Sequence, residues 1–300
     1  MNTDLNLVYS NPKEIVAELE KKIQELFQSD DYLKFLHKMS LLHNYSFNNV
    51  ILILMQMPEA TMVASYSTFN KMHRYVKKGS KAIKILCPCI GKKKKDDTDD
   101  SDDVQKNESS NNYLYFKFGN VFDVSQTEAI DESGEFKSFV TMLHYDSTFI
   151  QSIIDALKDA HSIKISYDSS LNGSTNGYYK IVEKEIYLKE GLSRLHELKT
   201  LIHELAHHYQ LEYYESLVAG FNRNDLEVSA ESIAYVTLTM LSNFYGLPEF
   251  DSSSYSVGYI AGWSKDKSLS ELKNTLSLIS NISNSLFLII SNAIPNIEKM

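Results

Sequence analysis

One pentapeptide in the 300-residue chain has a spacing that chemistry can use: His203-Glu204-Leu205-Ala206-His207. In a helix, positions four apart share a face about one turn apart, so two imidazoles there can converge on one ion. Neutral imidazole suits Zn²⁺, with Zn–N bonds of about 2.0–2.1 Å. Glu204 sits one position round, close enough to reach a water at the metal but badly placed to ligate it. That is the arrangement of a general base beside a Lewis acid. The chain has only nine histidines, so the spacing is fairly specific, although a bare match on a charged helix also arises by chance. A second pair strengthens it. Glu227 and Glu231 stand four apart on the next predicted helix, with small neighbours Ser229 and Ala230 that permit close helix approach. One of these carboxylates can complete a His₂Glu site, and the other can hold a ligand imidazole in its tautomer. Alone, two Glu on a helix read as a solvated face; beside the histidine pair, a metal site is the better reading. An oxyanion donor is also needed, and Tyr178, Tyr179, His208 and Tyr235 are equal candidates.

Other groups carry less. His196-Glu197-Leu198 echoes the motif, but Thr200 stands where the second His is required. Cys87-Pro88-Cys89 is too close-set and isolated for a zinc clip and reads as strand. His43 and His73 read as ordinary polar residues without partners.

The elements that must position these groups follow from periodicity. Ser193 caps a predicted helix in which Leu195, Leu198, Leu201, Ile202 and Leu205 face a core. A second helix is expected over about 224–244, and a long final helix carries Leu269, Leu272, Leu276, Ile279, Ile282 and Leu286. Before them come a helix around 148–160, a short strand at IKISY and a strand or hairpin at YYKIVEKEIYL. Nearer the N-terminus, Asn11-Pro12-Lys13-Glu14 is a helix start, followed by Ile15, Leu19, Ile23 and Phe27 at every fourth position. A second helix is expected near Tyr32–Leu42, then a strand at 62–66, a short helix at 68–76 and a strand at 81–87. In YLYFKFGNVFDV, Leu114, Phe116 and Phe118 point one way and Tyr113, Tyr115 and Lys117 the other. The strands either side of residues 91–112 are expected to pair as a hairpin. The fold class is α+β in two domains, 1–135 and 145–300, with a mobile charged loop over 91–112.

The net charge of −9 argues against a uniformly basic coat, yet the charge is unevenly placed. Ten of the 30 basic residues fall between Lys71 and Lys95 with no acid among them, and six Asp follow between Asp96 and Asp103. Such asymmetry fits an anionic partner held at one place. Single-stranded nucleic acid is gripped by cations interleaved with aromatic faces. Lys71, Arg74, Tyr75, Lys77, Lys78, Lys81, Lys84, Tyr113, Tyr115 and Lys117 could form such a platform; from composition alone, a solvated helix and hairpin explain them equally well. Two Cys exclude a disulfide scaffold and fit a reducing, cytoplasmic setting. No apolar run approaches the ~20 residues of a membrane span, so no membrane partner is expected.

Several blocks resemble one family. YSFNNVILIL, ASYSTFNKMHRYVKKGSKAIKILCP and YFKFGNVFDVSQTE resemble the N-terminal domain of ArdC-type antirestriction proteins. LIHELAHHYQ, the Glu227–Glu231 segment and YIAGWS resemble their C-terminal half, a zincin-like metallopeptidase domain similar to the ImmA/IrrE group. The resemblance implies a single-stranded-DNA-binding domain joined to a zinc metallopeptidase, on proteins carried by plasmids, conjugative elements or phages. By it, His203, His207 and Glu227 match the metal ligands and Glu204 the catalytic glutamate, leaving Glu231 to orient a ligand. The Lys/Asp-rich stretch at 92–112 and the acidic overall charge depart from the family pattern. The expected reaction is hydrolysis of peptide bonds in an unidentified protein. The alternative is a non-catalytic, single-stranded-DNA-binding antirestriction protein in which zinc is structural.

Overall fold

The structure, a computed structural model, describes residues 12–27, 32–92, 112–134, 147–173, 175–247, 264 and 267–294. The expected cap at Asn11, the charged loop from 93 to 111, the boundary near 135–145 and the YIAGWS block up to Trp263 lie outside these. By its contacts the chain divides into two compact units, residues 1–19 with 48–136 and residues 20–47 with 137–300. Residues 20–47, expected in the N-terminal domain, therefore cluster with the second unit.

Three helices open the described chain: α1 (Pro12–Phe27), α2 (Tyr32–Leu41) and α3 (Phe47–Gln56). In the first unit α3 buries Val50, Ile51, Leu52 and Ile53. It is followed by β1 (Val63–Ala64), α4 (Tyr66–Lys71), β2 (Arg74–Val76), β3 (Ile83–Lys92), β4 (Asn112–Asp123) and β5 (Thr127–Ala129). The strand order β1-β4-β3 leaves β3 at an edge, its pairing with β4 running from Ile83↔Val121 to Lys92↔Asn112. Two amides of α3, seven positions apart, cover that edge. Asn49 exchanges both its hydrogen bonds with the backbone of Leu86, at 3.0 and 2.9 Å, and Gln56 does the same with Lys84, at 2.9 and 2.8 Å. Open strand edges invite non-native pairing, and these side chains occupy the groups that would do it. The expected hairpin is thus present, and β3 is longer than the strand expected over 81–87. The helix expected over 68–76 stops at Lys71. His73 takes a positive φ of 55° and turns the chain into β2, which pairs with β5. Gly134 lies so close to the His73 carbonyl that a Cβ would stand 2.0 Å from its oxygen, so only Gly fits there.

In the second unit, α5 (Ser147–Ala160) leads to β6 (Lys164–Asp168), β7 (Gly177–Lys180) and β8 (Glu185–Lys189). β8 is central, parallel to β6 and antiparallel to β7. Then come α6 (Arg194–Glu212), the single turn α7 (Glu215–Val218), α8 (Arg223–Tyr245) and α9 (Leu269–Ala293). α8 is the axis of this unit, packed by α6, α9 and α2. Val228, Ile233, Ala234, Val236, Leu238 and Leu241 are buried around most of its circumference. Its one Tyr–Ser link to α2, Tyr32 to Ser232 at 3.2 Å, is also buried. By length and composition α9 could cross a membrane, yet Leu272, Leu276, Ile279, Ile282 and Leu286 are buried in this unit, as in a core helix.

Candidate functional site

The Ser193 side chain accepts from the His196 backbone N–H and starts α6, whose Leu198, Leu201, Ile202 and Leu205 are fully buried. Leu195 does not join them; it is 37% exposed and lines a cavity instead. The burial of one stripe fixes the rotation of α6, so His203 and His207 face α8 rather than solvent. Glu227 enters from the first turns of α8, which is held by a reciprocal cap between Asn222 and Asp225.

Three atoms converge there. His203 Nε2 and His207 Nε2 are 3.2 Å apart, and Glu227 Oε2 lies 3.3 and 3.5 Å from them. Donor atoms of a tetrahedral Zn²⁺ site with bonds of about 2.0–2.2 Å stand about 3.3–3.6 Å apart, so the trio has the size of one coordination face. The hydrogen-bond network assigns the tautomers. His203 Nδ1 faces Glu231 Oε2 at 3.2 Å, and His207 Nδ1 faces Gln210 Oε1 at 3.1 Å. Both acceptors require Nδ1–H, so when the imidazoles are neutral each Nε2 presents a lone pair to the other and to a carboxylate oxygen. Three acceptors aimed at one point repel each other unless a proton or a metal cation lies among them; without a metal, protonated His203 donates Nε2–H to this point.

The surrounding charge agrees. Burial lowers the proton affinity of His203, but the carboxylates of Glu227 and Glu231 outweigh it and raise its pKa to about 9. Glu227 is held far below the ordinary carboxylate range by hydrogen bonds to His203 and His207. Burial pushes Glu231 up, but His203 and Lys199 bring it down overall. Glu204 goes the other way: burial and the nearby Glu227 charge raise it, against His203, His207 and the backbone N–H of Tyr179. A carboxylate with raised proton affinity beside a cation site is suited to accept a proton.

The trio opens onto a cavity of about 1000 Å³ that is also lined by Glu204, Gly177, Tyr178, Tyr179, Lys199 and Arg223. β7 is the edge strand on this side. A Cβ on Gly177 would stand 2.6 Å from Thr200 Cγ2 and 3.4 Å from Glu204 Cγ, so Gly lets the strand lie against α6 beside Glu204. Tyr178 and Tyr179 line the cavity, but the Tyr178 hydroxyl donates to Asp168 at 3.1 Å and that of Tyr179 meets His208 Nδ1 at 3.2 Å. His208 and Tyr235 are not among the lining residues.

Sequence reasoning missed Gln210, Lys199 and Arg223. Gln210 is fully buried and ties the two helices, donating to Leu226 O at 3.2 Å and Ser229 Oγ at 2.8 Å while accepting from His207. Its signal was available: three positions after His207 is the same helix face. Lys199, four before His203, was readable by the same rule. Arg223 is 3.8 Å from Glu227 at 94% side-chain exposure and contributes little. The echo at His196-Glu197 has a structural use, since buried Glu197 accepts from the Tyr167 hydroxyl and from Arg194.

The basic residues of the first unit do not converge in this way. Lys71, Lys77, Lys78 and Lys81 are exposed. Lys77 reaches Ser125 O at 3.3 Å, and Lys84 donates to Asn120 at 2.6 Å. Tyr75 is exposed with its hydroxyl on Glu128, and Lys117 Nζ lies 5.3 Å from the centroid of the Tyr115 ring. The side chain of Tyr113 lies outside the description. Arg74 is a correction: it is buried, with Nε on Thr127 Oγ1 at 2.8 Å and its other nitrogens on the carbonyls of Gly134 and Thr127. It pins β2 to β5 and does not face a ligand. The exposed aromatics of the hairpin are Phe116 (51%) and Phe118 (38%), on the face that Lys84 shares, not the one holding Tyr115. His43 and His73 are not unpartnered: His43 Nδ1 meets Ser40 O at 3.1 Å, and His73 Nδ1 meets Asp131 at 3.0 Å.

Comparison with known proteins adds three findings. Residues 11–122 match the family model of the N-terminal domain of anti-restriction factor ArdC. The chain is 27% identical to an uncharacterized protein of Bacillus anthracis over 90% of its own length and 50% of the relative's; it spans about half of that protein. Crystal structures of the antirestriction protein ArdC from the R388 plasmid, one metal-free and one Mn(II)-bound, align with a TM-score of 0.48 each. Their identities are 18% and 17%, covering 83% and 84% of this chain and 86% of theirs.

Proposed function

We propose that this chain, whose residues 11–122 belong to the ArdC N-terminal domain family, is a DNA-binding, metal-dependent peptidase of antirestriction type. The convergence of His203 Nε2, His207 Nε2 and Glu227 Oε2 carries the enzymatic half of this reading. Two imidazole nitrogens and one carboxylate oxygen suit a borderline divalent ion, Zn²⁺ first. A structural zinc site is closed by four protein ligands, whereas a catalytic one keeps a position open. Three donors among the described residues, facing a cavity, favour catalysis over the structural alternative. Bound Zn²⁺ would supply Lewis acidity toward the scissile carbonyl and a lowered pKa for water. Glu204 takes a proton from the attacking water and passes it to the leaving amine. Its burial and the Tyr179 N–H hold it in one orientation. Glu231 and Gln210 keep the two imidazoles in the tautomer that presents Nε2. Single-stranded DNA is the partner assigned to the first unit, through Lys77, Lys78, Lys81 and Lys84 with the aromatic side chains of the hairpin. The substrate is an unidentified protein, and the setting is the cytoplasm of a cell harbouring a mobile element.

The Glu204→Gln variant separates the readings. Its metal content should match wild type while cleavage of an unfolded casein probe falls by roughly 10²–10⁴-fold, the usual worth of a general base. Equal cleavage by the variant, or no metal in either chain, would remove the peptidase assignment.

A further inference from the structure

Glu227 and Glu231 stand one turn apart on α8, and both reach His203. Spacing alone gives either of them the metal. What separates them is a third residue. Lys199 lies one turn before His203 on α6, and its Nζ is 2.7 Å from Glu231 Oε1. With Oε1 taken by the ammonium and Oε2 facing His203 Nδ1 at 3.2 Å, both oxygens of Glu231 are turned to the Nδ1 side of the imidazole. Glu227 has no lysine partner among the described contacts. Its Oε2 points between the two Nε2 atoms.

We propose that Lys199 is a positioning residue that selects the metal ligand: it holds Glu231 in the supporting role and leaves the cation to Glu227. The inference rests on the metal-site reading above. Its physical content is a competition between two carboxylates on one helix face. Glu side chains have three rotatable bonds, and a carboxylate anchored by one moderate hydrogen bond reorients readily. A second, charge-assisted bond at the other oxygen removes that freedom. The lysine charge would by itself repel a divalent ion. Because it is in contact with Glu231, the pair acts at the metal as a small dipole, and ordering prevails over repulsion. The three remaining groups at the ion (His203, His207 and Glu227) then have one arrangement in place of two. Outer partners of this kind are worth 10–100-fold in metal affinity. Lys199 is only partly exposed and lines the same cavity, so it is within reach of this role without touching the ion.

The test uses the full chain and Zn²⁺ alone. Affinity is read by competition with a chromophoric chelator, and ligand geometry by the visible spectrum of the Co²⁺-loaded protein. Lys199→Met should bind Zn²⁺ roughly tenfold more weakly and shift the Co²⁺ bands, whereas Lys199→Arg should stay near wild type. Glu231→Gln should also weaken binding. Adding Lys199→Met to Glu231→Gln should cost little more in Zn²⁺ affinity, because the proposed effect on the ion runs through that carboxylate. Lys199→Gln repeats the measurement with a polar side chain, so that a folding defect specific to Met does not decide the outcome. Unchanged or tighter binding by both Lys199→Met and Lys199→Gln overturns the proposal, as do losses that multiply in the double variant. Failure of the wild-type chain to bind Zn²⁺ is a separate result that overturns the metal-site reading along with it.

Discussion

The two units deploy their ionisable residues in opposite ways. Around His203 and His207 the imidazoles turn inward and each is held twice, at Nε2 by the convergent cluster and at Nδ1 by an acceptor. In the first unit Lys71, Lys77, Lys78 and Lys81 are exposed, and Ser125, Glu128 and Asn120, which Lys77 and Lys84 contact, are local partners. The one cation that turns inward there, Arg74, ends in hydrogen bonds of the fold itself. Convergence of several donor atoms on one point lets them share a proton or a metal ion, and so specifies a chemistry. Divergent surface charge shares nothing in this way and so says less. The convergent site therefore supports a proposed mechanism, and the basic surface supports only a proposed class of partner.

The largest effect expected from breaking this contrast is at the convergent site. His207→Ala should lower Zn²⁺ affinity by more than roughly a hundredfold, beyond the 10–100-fold that loss of an outer partner costs. Equilibrium dialysis of the full chain measures it. Affinity within a few fold of wild type would mean that the cation, if any, is held elsewhere.

At the divergent surface the contrast predicts a split between stability and binding. Arg74→Met leaves the oxygens of Thr127 and Gly134 without donors and should cost about 3 kcal/mol in urea unfolding. Lys78→Glu with Lys81→Glu should change stability by less than about 0.5 kcal/mol each. Yet it should weaken binding of a labelled single strand and reduce the salt slope by about 0.7 per lost phosphate contact. If Arg74 behaves like the lysines, its burial does not describe its role.

What the sequence made legible follows the same line. His203, Glu204 and His207 were readable because helical spacing alone brings i and i+4 together; the four-residue step on the neighbouring helix offered Glu227 and Glu231 equally, and only the family resemblance favoured Glu227. Most elements were readable from periodicity, including the β3–β4 hairpin and the span of α6. Arg74 was not, because its basic neighbours are exposed and nothing in RYV marks the point where a helix yields to a strand. That switch is set by the positive φ at His73 and by pairing with β5, a partner more than fifty residues away. Leu195 fits the apolar period of α6 but falls beyond the packed stripe, because burial there depends on where the cavity opens. The grouping of residues 20–47 with the second unit was equally hidden, since the apolar faces of α1 and α2 record that they are covered but not by what.

The smallest effect sharpens the contrast from within the second unit. His161 is a histidine held neutral without converging on anything: its Nδ1 meets Leu157 O at 2.6 Å, and its Nε2 meets the Tyr209 hydroxyl at 3.0 Å. Burial lowers its pKa below the ordinary value, and the bond to Leu157 only partly offsets this. Burial raises Tyr209 to about 12, so its hydroxyl stays protonated and donates. In the unfolded chain His161 takes up a proton near pH 6.5, while in the fold it does so only at lower pH. The unfolded state then binds more protons, and stability falls as pH drops from about 6.5 through the lowered value. His161→Gln lacks this step. The difference in unfolding free energy between wild type and variant should be constant above about pH 7 and shrink below pH 6.5, by up to about 1.4 kcal/mol for each unit of pKa depression. A difference that stays flat down to pH 4 would place the proton on His161 in the folded state. The distinction between a neutral histidine satisfied by its own neighbours and the convergent pair at 203 and 207 would then fail.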